Sequence, residues 1–229
     1  MPTRSNKPHT ASAAPRAASR RKPLSPWRGA SKSRGNREFK RDALIRVAAR
    51  AFNERGFHNT SLDDIASELE VTKPTLYYYV GNKEELLFQC FLTGLEGIRS
   101  ALREVAQSRD AARERLAVVL RGYAVAIASE FGWCMVRAAD QDLGPQLSAH
   151  IKALKSEIDL GLRALLQDGK RDGSIAVDDP KMTAFALAGA LNGIAHWYRD
   201  NRPLSAAQIA DRFVLIFEQG YLPRGRLKG

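Results

Sequence analysis

From residue 37 onward, apolar positions return at helical spacing, and no stretch shows the two-residue alternation of a half-buried strand. Leu44, Val47, Ala48, Ala51 and Phe52 fit the i, i+3, i+4, i+7, i+8 template of an amphipathic helix, and Gly56 closes it. Leu62, Ile65, Ala66 and Leu69 form the inner face of a short second helix. Ser61 is its predicted N-cap, and Asp64 sets an acid in its first turn. Thr72 caps a third helix, with Pro74 placed where a missing N–H costs little; this helix runs to about Tyr79.

Longer periods follow. A helix from Lys83 keeps Leu87, Phe91, Leu95, Ile98 and Leu102 on one side for about five turns. Another is predicted over 112–131, with Leu116, Val119, Leu120, Tyr123 and Ile127 aligned, and a shorter one over 132–141. Pro145 opens a helix reaching Gly169, Asp179-Pro180 opens one to about Asp200, and the Ser205/Gln208 capping box starts a last one ending near Gly220. The predicted class is all-α, with about nine helices. Residues 37–82 form a three-helix unit containing a helix-turn-helix, and residues 83–229 form a helical domain.

Residues 1–36 carry nine Lys and Arg and no acid, with only Leu24 and Trp27 as larger apolar groups. Such a segment buries too little to offset its ordering entropy and is expected to be disordered. Three readings stay open for it: a basic arm that attracts phosphates, an organellar transit peptide, and a start codon placed too early. The tail also holds most of the chain's net +11, since residues 37–82 balance seven basic against seven acidic groups and residues 83–229 carry a net +2. Global charge therefore says little about the helix-turn-helix. Cys90 and Cys134 are far apart in sequence and lack metal-type spacing, as expected of buried thiols in a reducing compartment.

A helix that reads DNA must be held rigidly by a second one while its free face meets the major groove. Ile65, Ala66, Leu69, Val71 and Leu76 can build that small core. Thr60, Ser61, Lys73, Thr75, Tyr77, Tyr78, Tyr79 and Lys83 are then left outward, as hydroxyl and ammonium donors suited to phosphate oxygens. On these residues alone, a helix-turn-helix used purely as a packing unit remains an alternative.

The run Ala51-Phe-Asn-Glu-Arg-Gly-Phe57, then Thr60-Ser61 with Asp64-Ile65-Ala66, then Val71-Thr-Lys-Pro-Thr-Leu-Tyr-Tyr-Tyr79, then Asn82-Lys-Glu-Glu-Leu-Leu87 resembles the TetR family of bacterial transcriptional regulators. The likeness is close over about 37–90; beyond that only helix number and length agree. It implies a homodimer, an N-terminal DNA-reading domain and a C-terminal domain that binds a small effector, usually in a repressor released by that effector. By position it implies that Thr60 and Ser61 touch phosphate, that Lys73, Pro74, Thr75 and Tyr78 face base edges, and that Tyr77, Tyr79 and Lys83 grip the backbone. Three positions depart from the family pattern: Glu70 where Gly is common in the turn, Tyr79 where His is more usual, and Val80 where Phe is more usual. A positive φ at Glu70 would cost about 1 kcal/mol.

In the second domain Ala186, Gly189, Ala190 and Gly193 lay small residues along one helix side, and Ile209, Phe213, Ile216 and Phe217 give the last helix an apolar face. Together they are the expected dimer surface, with filling of a monomer core as the competing reading. Tyr123, Trp133, Met135, Arg137, Asn192, His196 and Trp197 are the ligand candidates by residue type. Gly189–Tyr198 followed by Pro203-Leu-Ser is similar to family members that sense acyl-CoA thioesters, which implies a largely apolar effector. The four histidines are scattered, with no zinc spacing, nucleophile elbow or phosphate loop, so no enzyme is expected. Neither cofactor nor metal is expected, and no run reaches the ~18 apolar residues of a membrane span. The expected partners are an operator DNA duplex, a small effector and a second copy, in the cytoplasm. A helical interaction module with a degenerate helix-turn-helix is the rival reading.

Overall fold

The computed structural model describes residues 34–199 and 203–220, and every regular element among them is helical. The tail assigned to 1–36 lies outside the described residues up to position 33; its last three residues open the first helix. Helix α1 (Arg34–Arg55) buries Leu44, Ile45, Ala48, Ala49, Ala51 and Phe52, and Gly56, at φ +84°, lets the chain turn away. Two short helices follow, α2 (Leu62–Glu68) and α3 (Lys73–Tyr77). Asn82 then caps α4 (Lys83–Val105), its side-chain oxygen accepting from the Glu85 amide at 2.7 Å.

Helix α4 is the spine. It packs against α1 on one side and, on the others, α5 (Ala112–Ile127), α6 (Glu130–Arg137) and α7 (Pro145–Asp172). Leu86, Leu87, Phe91, Leu95 and Ile98 are fully buried along it, each contributing roughly 1.5–3 kcal/mol by leaving water. The buried cluster runs without a break from Leu44 to Val214, so the three-helix unit and the larger bundle share one core.

Four predicted boundaries move. The helix expected over 112–131 stops at Ile127; the chain bends by 82° and restarts as α6, with Ser129 accepting from the Gly132 amide at 3.1 Å. At Gly132 a Cβ would lie 2.3 Å from the Ala126 carbonyl, so this corner requires a residue without a side chain. α6 ends at Arg137, and a 3₁₀ turn (Asp140–Asp142) follows it. α7 continues past the buried Gly169 to Gly173 at φ +75°. Asp179 caps α8 (Pro180–Asn192), its carboxylate accepting from the Lys181 and Met182 amides. The helix expected to reach about Asp200 is broken there, and a single turn, α9 (Ile194–Trp197), takes over. α10 (Ala206–Gln219) opens on the predicted Ser205/Gln208 capping box and packs against α5.

Candidate nucleic-acid interface

The α2–α3 unit is assembled largely by short-range bonds. The Ser61 hydroxyl accepts from the Asp64 amide at 3.1 Å while Asp64 accepts from the Ser61 amide at 2.8 Å, a closed capping box that fixes where α2 begins. The Ser61 hydroxyl, first, and its amide, second, hold the Asp64 carboxyl below its ordinary pKa of 3.8. At the far end, Val71 N–H donates to Ala66 and Glu70 N–H to Ser67, the paired bonds of a Schellman motif. That motif places Glu70 at φ +57°, the one non-glycine residue at positive φ among those described.

Leu76 and Val80 anchor α3 from below, with Leu76 1% exposed. Above them Tyr78 is 64% exposed, Tyr77, Lys73 and Pro74 also face outward, and Thr75 is half-buried. The Thr72 backbone is extended, as an N-cap requires, but its hydroxyl meets the Thr75 hydroxyl at 2.8 Å instead of a backbone amide. Lys73 Nζ sits 2.8 Å from an Asp63 oxygen, which raises its pKa through that bond and the attendant charge. From α1, Arg37 places its guanidinium 5.0 Å from the Tyr78 ring centroid, adding a cation to this face. Sequence reasoning missed Arg37; the basic start of the first amphipathic helix was the available signal.

Two expected phosphate groups lie elsewhere. Thr60 is 1% exposed, and its hydroxyl donates to the Gly56 carbonyl at 2.8 Å, closing the end of α1; no phosphate can reach it. Lys83 donates to the Phe57 carbonyl at 3.0 Å and sits 4.4 Å from the Phe57 ring centroid, so it clasps the α1–α2 corner instead of projecting from it. Tyr79 is half-buried and meets Tyr78 edge-on at 5.1 Å. Phe52 and Phe57 meet edge-to-face at 5.4 Å, and Val80 is 3% exposed.

This unit is tied to the bundle at defined points. Arg46 meets Glu130 at 2.6 Å, and Asn53 donates to the Glu130 carbonyl at 2.7 Å, so the start of α6 is pinned to α1. The 3₁₀ turn is a strap: Asp142 lies 2.9 Å from His58 in the α1–α2 corner, Asp140 meets Lys155 of α7 at 2.6 Å, and Gly144 N–H donates to Glu84 at 3.2 Å. Cys90 and Cys134 are both buried at the same junction, and burial, followed by the neighbouring Cys134, pushes the Cys90 thiol up.

The expected ligand residues divide. The Tyr123 hydroxyl donates to Asn192 at 3.2 Å; burial raises its pKa to about 12, with the Asn192 bond opposing. Met135 is buried, and Arg137 lies beside Trp133. His196 and Trp197 face outward, which removes them from any interior pocket; Trp197 stacks on Phe213 at 6.4 Å. A cavity of about 470 Å³ opens between α5, α7, α8 and α10, walled by Leu116, Leu120, Leu166, Ile175, Val177, Leu187, Val214 and Phe217, and none of the seven expected residues lines it. Arg113 and Glu218, 3.0 Å apart, sit at its edge.

Of the expected pairing residues, Ala186, Gly189, Ala190 and Ile216 are exposed, and Gly193, Phe213 and Phe217 are half-buried. A Cβ at Gly189 would meet nothing within 4 Å. Ile209 is the exception, buried against its own chain with Ala210 and Val214. Met182, Phe185 and Leu215 extend the exposed apolar face of α8 and α10.

Two family models match, one described as bacterial regulatory proteins of the tetR family over residues 44–90, the other as a tetracyclin repressor-like C-terminal domain over 109–221. The chain is 25% identical over 176 residues to the transcriptional activator FasR of Mycolicibacterium smegmatis, covering 75% of this chain and 79% of that protein. It is 23% identical over 183 residues to the transcriptional repressor KstR2 of the same organism, covering 77% and 88%. The crystal structure of AibR in complex with isovaleryl coenzyme A and operator DNA superposes with a TM-score of 0.66 at 27% identity, covering 76% of this chain and 95% of that one.

Proposed function

Because the chain belongs to the TetR family of DNA-binding transcriptional regulators, and is not an enzyme, we propose that it is a cytoplasmic repressor released from a palindromic operator by a small, largely apolar effector. The observation that carries this reading is the α3 surface: a five-residue helix clamped through Leu76 and Val80 that offers Lys73, Pro74, Tyr77 and Tyr78 outward, with Thr75 half-buried among them. Ser61, with the first turn of α2, and Tyr79 flank it as phosphate-side groups, and Arg37 joins them. Residues 37–82 read the operator, residues 83–229 sense and pair, and residues 1–36 serve as a basic arm. No single described helix is long and apolar enough to cross a membrane.

One five-residue helix meets too few bases to define a site, so the reading requires two copies spaced by about one DNA turn. The exposed side of α8 and α10, with Ala186, Gly189, Ala190 and Ile216 at its centre and Gly193, Phe213 and Phe217 beside them, is the surface offered for pairing; Ile209 supports it from inside. The 470 Å³ cavity is of ligand size, with leucine, isoleucine and valine walls and a polar edge at Arg113 and Glu218, in keeping with an acyl-CoA-type effector such as the one in the AibR complex. KstR2 is a repressor and FasR an activator, and the repressor reading follows the former.

The test selects bound genomic fragments with the full chain and footprints the best one. Tyr78→Ala should lower affinity for that site by roughly tenfold or more, as loss of a specific contact worth about 1–3 kcal/mol requires, with thermal stability unchanged. Full binding by Tyr78→Ala would refute the α3 reading. Removing residues 1–36 should flatten the salt dependence of binding and leave the preferred sequence as it was.

A further inference from the structure

One cationic cluster in the bundle has no acidic partner among the described residues. The guanidinium carbons of Arg137 and Arg199 lie 5.8 and 5.3 Å from the centroid of the same indole, Trp133. Arg137 donates to the Ala195 carbonyl at 2.7 Å, and Arg199 to the Tyr198 carbonyl at 2.5 Å. A guanidinium has five N–H donors, so most of each fork remains unused. Neither forms an ion pair with a described carboxylate, whereas Arg99, Arg115 and Arg163 of the same domain each do. The Trp133 Nε1–H is buried and has no acceptor. Burial first, and the charge of Arg199 second, lower the pKa of Arg137.

We propose that Arg137, Arg199 and Trp133, none of which lines the 470 Å³ cavity, form a separate phosphoryl-anion site for a phosphoryl-bearing effector; this rests on the effector-released reading above. Each planar fork can take a different pair of oxygens, and a phosphoryl group offers more oxygens than the two of a carboxylate. The site also stands where it can be read. Arg137 is the last residue of α6 and Glu130 the first, and Glu130 holds Arg46 and Asn53 of α1. Helix α6, about 12 Å long, therefore joins the anion to the helix that supports the reading unit.

Pyrophosphate is the probe. In the full chain carrying Trp27→Phe and Trp197→Phe, Trp133 is the only tryptophan left, and its fluorescence reports this site and not the basic tail. Pyrophosphate at constant ionic strength should give a saturable change with a midpoint near or below about 1 mM, and Arg199→Gln and Arg137→Gln should each weaken it by roughly tenfold. Arg137 also holds the Ala195 carbonyl, so Arg199→Gln decides the matter if the other variant melts early. No saturable response, or an unchanged midpoint in Arg199→Gln, overturns the site. Octanoate should respond at least about tenfold more weakly; an equal response overturns the phosphoryl assignment. Failure of the parent chain to bind any operator would sink the regulator reading while leaving this titration standing.

Discussion

The α2–α3 unit and the bundle that follows it are held together over different distances along the chain. In the first, Ser61 bonds Asp64, Glu70 bonds Ser67 and Thr72 meets Thr75, all within three residues. In the second, Tyr123 reaches Asn192, 69 positions away, Arg137 reaches Ala195, 58 away, and Arg113 reaches Glu218, 105 away. The helix ends of the first unit are fixed by neighbours and depend least on distant partners. A bundle built from distant partners can reset when one of them moves, which suits the reading role proposed for the first and the sensing role proposed for the second.

The sharpest way to break this contrast is to hollow out one side at a time. Leu76→Ala, at the more deeply buried of the two side chains that pin α3, should cost about 3 kcal/mol and abolish operator binding. Leu120→Ala enlarges the wall of a cavity that already exists, so it should cost about 2 kcal/mol and leave effector-free operator affinity intact. Urea titrations beside operator titrations check both, and equal losses of DNA affinity would mean that the two regions are not separable.

Next in size is the strap. Asp142→Asn weakens the link from the 3₁₀ turn to His58 without touching α3 or the cavity. Its expected effect is on coupling: the ratio of operator affinities with and without effector should shrink by about 0.5–2 kcal/mol, as for other residues between two sites. Binding curves at saturating and zero effector measure this, and an unchanged ratio would show that the strap carries no coupling.

Glu70→Gly should stabilise the fold by about 1 kcal/mol, because glycine adopts φ near +57° without the Cβ clash. Glu70→Ala keeps the Cβ and should bring no such gain in melting temperature.

How much was legible follows from the same contrast. Ser61, Asp179 and Ser205 declare helix starts through their own side chains, and the structure uses each as a cap. The inward residues Ile65, Ala66, Leu69 and Leu76 were readable from spacing, because a short helix has one apolar side. Thr60 was misread since nothing nearby reveals that its hydroxyl turns back to Gly56. The break after Ile127 was hidden because apolar periodicity continues through it, and only the tight approach at Gly132 explains it. The cavity residues were invisible for a plainer reason. Leu116, Leu187 and Val214 look like any core leucine or valine, and their facing one void is a property of four helices jointly.

The smallest effect expected is the response to acid, and it separates the two regions again. Asp64 is held below its ordinary 3.8 by Ser61; Asp172 is held down first by the Ser174 hydroxyl, then by the Ala112 amide at the start of α5. A carboxyl whose folded pKa is depressed stabilises the fold above its unfolded pKa and loses that contribution as pH falls through the folded value. Both caps should therefore act in full above about pH 4 and weaken below it. Asp64 caps α2 within three residues, so Asp64→Asn should flatten the acid dependence of amide protection in α2 alone. Asp172 bridges 60 positions from the end of α7 to α5, so Asp172→Asn should flatten acid sensitivity across the bundle. Hydrogen exchange between pH 3 and pH 5 resolves the two patterns. If Asp64→Asn altered protection in α5 and α7 as strongly as in α2, the short-range independence of the reading unit would be lost.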